Sequence, residues 1–155
     1  KAYLSELESQ NRVREIMENI RLISIILDAE GKLTFCNTCF LDIVEYKREE
    51  VLQKDWISMF IPSEQASALR KILFESATRG EFPVRNENPI LTRSGELRLI
   101  SWYNTILRNS HGEYEGIASI GEDITERHLS EALRETLLKI SQSVNQVEDL
   151  DELFL

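Results

Sequence analysis

The run TRSGELRLISWYNTILRNSHGEYEGIASIGEDITER, residues 92–127, decides the fold. Two long segments rich in Ile, Leu, Trp and Tyr, 97–108 and 114–123, are separated by the turn formers Asn109, Ser110, His111 and Gly112. A third strand-like segment, FPVRNENPILTR at 82–93, precedes them across Ser94 and Gly95. Three strands joined by such short turns make an antiparallel meander. The run closes on Asp123, Ile124 and Thr125, after which the pattern turns helical.

Beyond it, Leu133, Leu137, Ile140, Val144 and Val147 are spaced four, three, four and three, the seam of a coiled coil. Upstream, RLISIILDAEGKLTFCN (21–37) reads as two short strands broken by Asp28, Ala29, Glu30 and Gly31, a hairpin. Stubby helices follow at 38–46, 48–55 and 55–60, ending at Pro62. Ser63 is expected to cap a longer helix whose Leu69, Ile72, Leu73 and Ala77 share a face and whose end is Gly80. Residues 1–20 carry Leu4, Leu7, Val13, Ile16, Met17 and Ile20 along one helical stripe.

The order of elements predicts an α+β fold: a five-stranded antiparallel sheet with short helices on one face, flanked by N- and C-terminal helices. The divisions expected are an amphipathic helix at 1–20, a core domain at 21–125, a coiled-coil helix at 126–147 and the truncated start of a further domain at 148–155. The chain reads as a piece excised from a larger protein.

Composition narrows the function. At 155 residues, with 42% hydrophobic and 29% charged residues, one core is expected. A net charge of -9 opposes nucleic-acid or anionic-membrane binding, which relies on clustered Lys and Arg. No apolar run approaches the length of a membrane span, and KAYLSELESQ lacks a signal-peptide pattern. Two cysteines are too few for a disulfide-stapled secreted scaffold, so a cytoplasmic location is expected.

Several of these segments resemble PAS domains. LDAEGKLTFCNTCF (27–40) is similar to that family's opening, with Asn37 and Phe40 matching the Asn and the aromatic that begin its first core helix. EYKREEVLQKDWISMFIPSE (45–64) resembles the helices that follow, with Glu45 and Gln53 standing where glycine is usual. Residues 92–127 follow the pattern of two long strands, a glycine-containing turn and the triplet Asp123, Ile124, Thr125, which in the family joins the last strand to an output helix. The resemblance covers residues 14–127 and implies a PAS fold and a sensory, non-enzymatic module. Such a module binds a small molecule or partner and relays a conformational change to a downstream domain, such as a histidine kinase or diguanylate cyclase. LLKISQSVNQVEDLDELFL (137–155) is similar to the lead-in of a GAF domain.

The cofactors of such domains each demand particular residues. Haem needs a proximal His, and the long helix SEQASALRKILFESATRG has none. His111 and His128 read as solvated, and no metal site is expected. The covalent flavin adduct of blue-light sensors is excluded, because Trp56 stands at the reactive-Cys position and Gly121 where a flavin-reading Gln is used. Cys36 and Cys39 form a C-x-x-C without a second pair and read as small hydrophobes. Non-covalent FAD stays open: Trp102 and Asn104, two apart on one strand, share a face and offer an aromatic wall and an amide. The plainer reading is that Trp102 fills the core and Asn104 bonds to backbone. Phe40, Trp56, Leu73, Trp102 and Asn104 are the pocket candidates, for an unknown ligand.

Asp123 and Thr125 can bond the unpaired N–H groups of the helix that follows, coupling sheet to helix. With Leu133, Leu137 and Ile140 they form the expected signal relay in a homodimer whose end helices meet their copies. Arg93, Arg98 and Arg108 read as decoration of strand ends. HLSEALRET (128–136) lacks the His, acidic residue, Leu, Arg and Pro of a phosphoacceptor helix, so His128 is no kinase nucleophile. The rival to sensing is a module that binds nothing and only dimerises.

Overall fold

The meander and the hairpin combine into one antiparallel sheet of five strands, in the order β2-β1-β5-β4-β3. The strands are β1 (Ile23–Asp28), β2 (Leu33–Cys36), β3 (Arg85–Leu91), β4 (Leu97–Arg108) and β5 (Tyr114–Asp123). Between β2 and β3 lie α2 (Thr38–Val44), α3 (Arg48–Val51), α4 (Trp56–Phe60) and α5 (Ser63–Arg79); α1 (Ala2–Asn19) precedes the sheet and α6 (Thr125–Phe154) follows it. This computed structural model describes residues 1–19 and 21–154, without the side chains of Met17, Ala77 and 149–154. Ile20, the Met17 and Ala77 side chains, Leu155 and nearly all side chains of the 148–155 segment therefore lie outside the described residues. Two compact units divide the chain, Lys1–Asp123 and Ile124–Leu155.

Within the first unit, alternation along the strands sorts residues between two faces. Ile23, Ile25, Leu27, Ile100, Trp102 and Ile117 are buried on the inner face. They join Phe40, Val44, Val51, Trp56 and Phe60 from the short helices in a common core. Pro89 sits in β3, an edge strand, where its missing N–H costs no ladder bond on the open side.

Asn37 shows how the sequence builds the junction from β2 to α2. Its Oδ1 accepts from the Phe40 amide at 3.2 Å, capping α2, and from the Ser24 amide at 3.0 Å; its Nδ2 donates to the Leu22 carbonyl at 2.7 Å. One buried amide thus fixes the start of a helix against the start of β1. The two positions where glycine is usual are left-handed here as well: Glu45 and Gln53 both have φ 65°.

Ser63 is not the cap of α5. Pro62 occupies that position with φ -55° and ψ 142°, and Ser63 is the first helical residue. The Pro62 carbonyl accepts from Gln65 and Ala66, so a proline read as a helix stop also starts the next helix. Gly80 ends α5 in the left-handed conformation as expected.

The second unit consists mainly of one helix. α6 runs unbroken from Thr125 to Phe154. Leu133, Leu137 and Ile140 are 61%, 58% and 55% exposed along it.

Candidate functional site

The inner face of β4 and β5 opens toward α5 through a chain of paired polar groups. Trp102 lies opposite Gly121 in register, and a Cβ at Gly121 would come within 2.7 Å of the indole. The absent side chain is what lets the ring lie flat across β5. Trp102 meets Trp56 edge-on at 5.7 Å, and Trp56 in turn touches Phe40 at 5.7 Å and Phe60 at 4.9 Å.

Among the described residues no buried side-chain nitrogen or oxygen lacks a hydrogen-bond partner. The Trp102 indole donates to Asn88 Oδ1 at 2.7 Å. Asn104 donates through Nδ2 to the Pro83 carbonyl at 2.9 Å and to Asn86 Oδ1 at 2.6 Å, and its Oδ1 accepts from the Ser119 hydroxyl at 2.7 Å. The bonds to Asn88 and Asn86 run diagonally between β4 and β3, whereas Ser119 on β5 lies directly opposite Asn104; at both spacings side chains of one face meet. Leu73, Trp56, Trp102 and Asn104 border one cavity here, of about 30 Å³. That volume is about one water's share of the liquid. Phe40, the fifth candidate, lies behind Trp56 and is wholly buried in the core.

Sequence reasoning missed Asn86, Asn88 and Ser119, which complete this network. The signal was present for the first two, since R-N-E-N-P places amides two apart on one strand face.

Leu27 and Leu73 border both this cavity and a second, larger space of about 400 Å³ among the β1–β2 turn, α4, α5 and the start of β5. Arg70 on α5 donates there to Asp55 Oδ2 at 3.1 Å and to the Ser58 hydroxyl at 2.7 Å, tying α5 to the first turn of α4. Burial pushes the Asp55 carboxyl up, but its bonds from Ser58 and Arg70 outweigh this and hold it below the ordinary range. At the other end of α5, Arg108 donates to the Gly80 carbonyl at 2.9 Å and to Gly112 at 3.1 Å.

The arginines are therefore not decoration. Arg98 binds Asp123 at 2.8 Å through Nε and at 2.7 Å through Nη2, and also reaches Glu96. Arg93 pairs with Glu50 at 3.0 Å and stands over the Tyr46 ring. Each joins segments far apart in sequence, which strand-end position alone does not reveal. Asp123 is thereby clamped at the last residue of β5, directly before the chain enters α6 at Thr125.

At the opposite terminus of the first unit, the Glu18 carboxylate of α1 accepts from both the amide and hydroxyl of Thr38 at the start of α2. Those two bonds hold Glu18 below its ordinary pKa. Cys36 is buried and Cys39 half-buried, and burial raises both thiols, which favours the protonated form of a small hydrophobe. His111 and His128 are exposed. Among the described residues no cluster of His, Cys, Asp and Glu suits a metal ion, and no helix is long and apolar enough to cross a membrane.

Comparison with known proteins bears on this geometry. A family model described as PAS fold matches residues 17–129. No curated protein matches the sequence. Among solved structures, the PAS domain of a Colwellia psychrerythraea protein is 13% identical, with 76% of this chain and 98% of that one covered at a TM-score of 0.64. A sensory box histidine kinase/response regulator from Burkholderia thailandensis is 22% identical, with 84% and 98% covered and a TM-score of 0.59. The RpfR quorum-sensing receptor PAS domain of Cronobacter turicensis, solved in complex with C12:0, is 25% identical, with 69% and 97% covered and a TM-score of 0.58.

Proposed function

Given that the chain belongs to the PAS-fold family, we propose that it is a sensory module whose small-molecule site is the space between the inner face of β4–β5 and α5. PAS domains are generally sensory, non-catalytic units, and no residue here is assigned a catalytic role. The observation that carries the reading is the walled cavity bordered by Trp56, Leu73, Trp102 and Asn104. Small-molecule sites combine such apolar walls with a few placed polar groups. At about 30 Å³ the cavity has room for little more than one water, so a ligand is accommodated as α5 withdraws from the sheet. The Arg70 and Arg108 bonds at the two halves of α5 are the contacts that would yield.

The ligand proposed has an apolar body and a polar group able to exchange bonds with the Asn86, Asn88 and Asn104 amides. The complex of the Cronobacter domain with C12:0 supports an apolar body. Output would pass from the Arg98–Asp123 clamp into α6, where the exposed Leu133, Leu137 and Ile140 give a seam for a second copy. A histidine kinase is the proposed downstream domain in the same cytoplasmic chain, supported by the Burkholderia neighbour.

The test is an absorption spectrum of the purified protein and mass spectrometry of what it releases on denaturation, followed by thermal melts with C12:0. A released apolar compound, or a melt raised by C12:0, supports the proposal. A flavin band with released FAD would instead assign Trp102 and Asn104 to a redox cofactor. Nothing released and an unmoved melt would leave dimerisation as the function. For the relay, Leu137→Asp should abolish self-association in sedimentation; unchanged association would refute the seam.

A further inference from the structure

We propose that the groove outside Leu73 is a second binding site, for an organic cation with an apolar body. Its volume of about 400 Å³ lies within the range of small-molecule sites, and it is open without any movement of α5. The site therefore does not wait for α5 to withdraw from the sheet, although it shares Leu27 and Leu73 with the inner cavity.

Charge selects the occupant. The groove is bordered by the carboxylates of Asp28, Glu30 and Asp55 and by one cation, Arg70. Arg70 is engaged by Asp55, so that pair cancels and the remaining field is that of Asp28 and Glu30. Asp28 Oδ1 accepts from the backbone amides of Glu30 and Lys32, each at 2.9 Å, which orients the carboxylate without neutralising it. Glu30 meets Lys32 at 3.6 Å in an exposed pair, an interaction that contributes little. Burial raises the Tyr114 hydroxyl, and the charge of Asp28 pushes it the same way. A carboxylate ligand would meet repulsion here.

The walls fit the other half of the molecule. Phe74, 74% exposed on α5, and the half-buried Tyr114 both border the groove. An aromatic face in a groove lined by more carboxylates than cations attracts an ammonium group and shields an attached apolar body from water. A negative groove with two aromatic walls thus suits an aryl- or alkylamine and discriminates against its acid and alcohol counterparts.

The test uses the ¹⁵N-labelled chain titrated with phenethylammonium, phenethyl alcohol and phenylacetate, which share one ring and differ in charge. Phenethylammonium alone should shift the amides of Glu30, Gly31, Phe74 and Tyr114. Asp28→Asn keeps an oxygen to accept the two turn amides while removing the charge; it should weaken binding about threefold, and Glu30→Gln likewise. Phe74→Leu, at an exposed position, should weaken it about threefold while leaving other amide signals in place. Equal shifts with all three probes would overturn the proposal. So would no shift at about 10 mM phenethylammonium, or an affinity unchanged in the Asp28→Asn, Glu30→Gln double variant.

Discussion

Replacing Glu45 and Gln53 by glycine should stabilise the first unit. Both residues hold φ 65°, both side chains are exposed, and the backbone bonds that fix them, Glu45 to Leu41 at 2.9 Å and Gln53 to Leu33 at 2.7 Å, do not depend on the side chain. A residue with a Cβ pays about 1–2 kcal/mol for the left-handed conformation. Glycine avoids that cost but loses about 0.5–1 kcal/mol more backbone entropy on folding. The difference is about 0.5–1 kcal/mol per site, or about 1–2 kcal/mol for the pair if the sites act independently. Urea unfolding followed by the fluorescence of Trp56 and Trp102, both buried in this unit, reads the change directly. The midpoint should rise at constant slope, which separates a stability change from a change in the denatured state. Glu75→Gly, at an exposed site inside α5, is the control and should cost about 1 kcal/mol. If the two glycine variants fell with the control, the left-handed strain assigned to these residues would be wrong.

Gly116 has φ 154°, and a Cβ there would lie 2.0 Å from the Leu27 carbonyl oxygen of the neighbouring strand. Gly116→Ala should therefore cost about 3 kcal/mol or more, read as a collapsed urea midpoint or loss of soluble protein. Glu18 and Asp55 titrate below their ordinary range when folded, so their contribution is present above the unfolded pKa and is lost as pH falls through the folded pKa. Urea midpoints of Glu18→Gln and Asp55→Asn should lie below the parent at neutral pH and converge with it on acidification; a constant gap across pH would refute that linkage.

The sheet was legible because its signals are local. Turn formers at Ser94–Gly95 and Asn109–Gly112 bracket β4, and the apolar runs on either side find their partners by proximity in sequence. That Trp102 and Asn104 share a face followed from spacing alone, whereas their partners did not: Asn104, expected to bond to backbone, bonds to the Pro83 carbonyl and also to the side chains of Asn86 and Ser119. What spacing cannot carry is the identity of distant partners. Arg98 meets Asp123 across 25 residues and Arg93 meets Glu50 across 43, through sheet register and helix placement that form only in the fold. The cap of α5 falls at Pro62 instead of the expected Ser63, because proline both stops one helix and suits the start of another, and only its neighbours' bonds reveal the second role. The groove beside Phe74 draws on the hairpin turn, α4, α5 and β5 at once, so no single stretch of sequence announces it.

Ile23, which opens β1, lies opposite Gly121 near the end of β5. Paired residues of an antiparallel ladder are about 5 Å apart, little more than the reach of one peptide unit. A polypeptide that arrives at β1 and departs from β5 has thus travelled the whole sheet and come back almost to where it left. For a genome this makes the module a parenthesis: it can be spliced into a longer coding sequence, duplicated in tandem or removed, with little need to lengthen the flanking chain to bridge the gap.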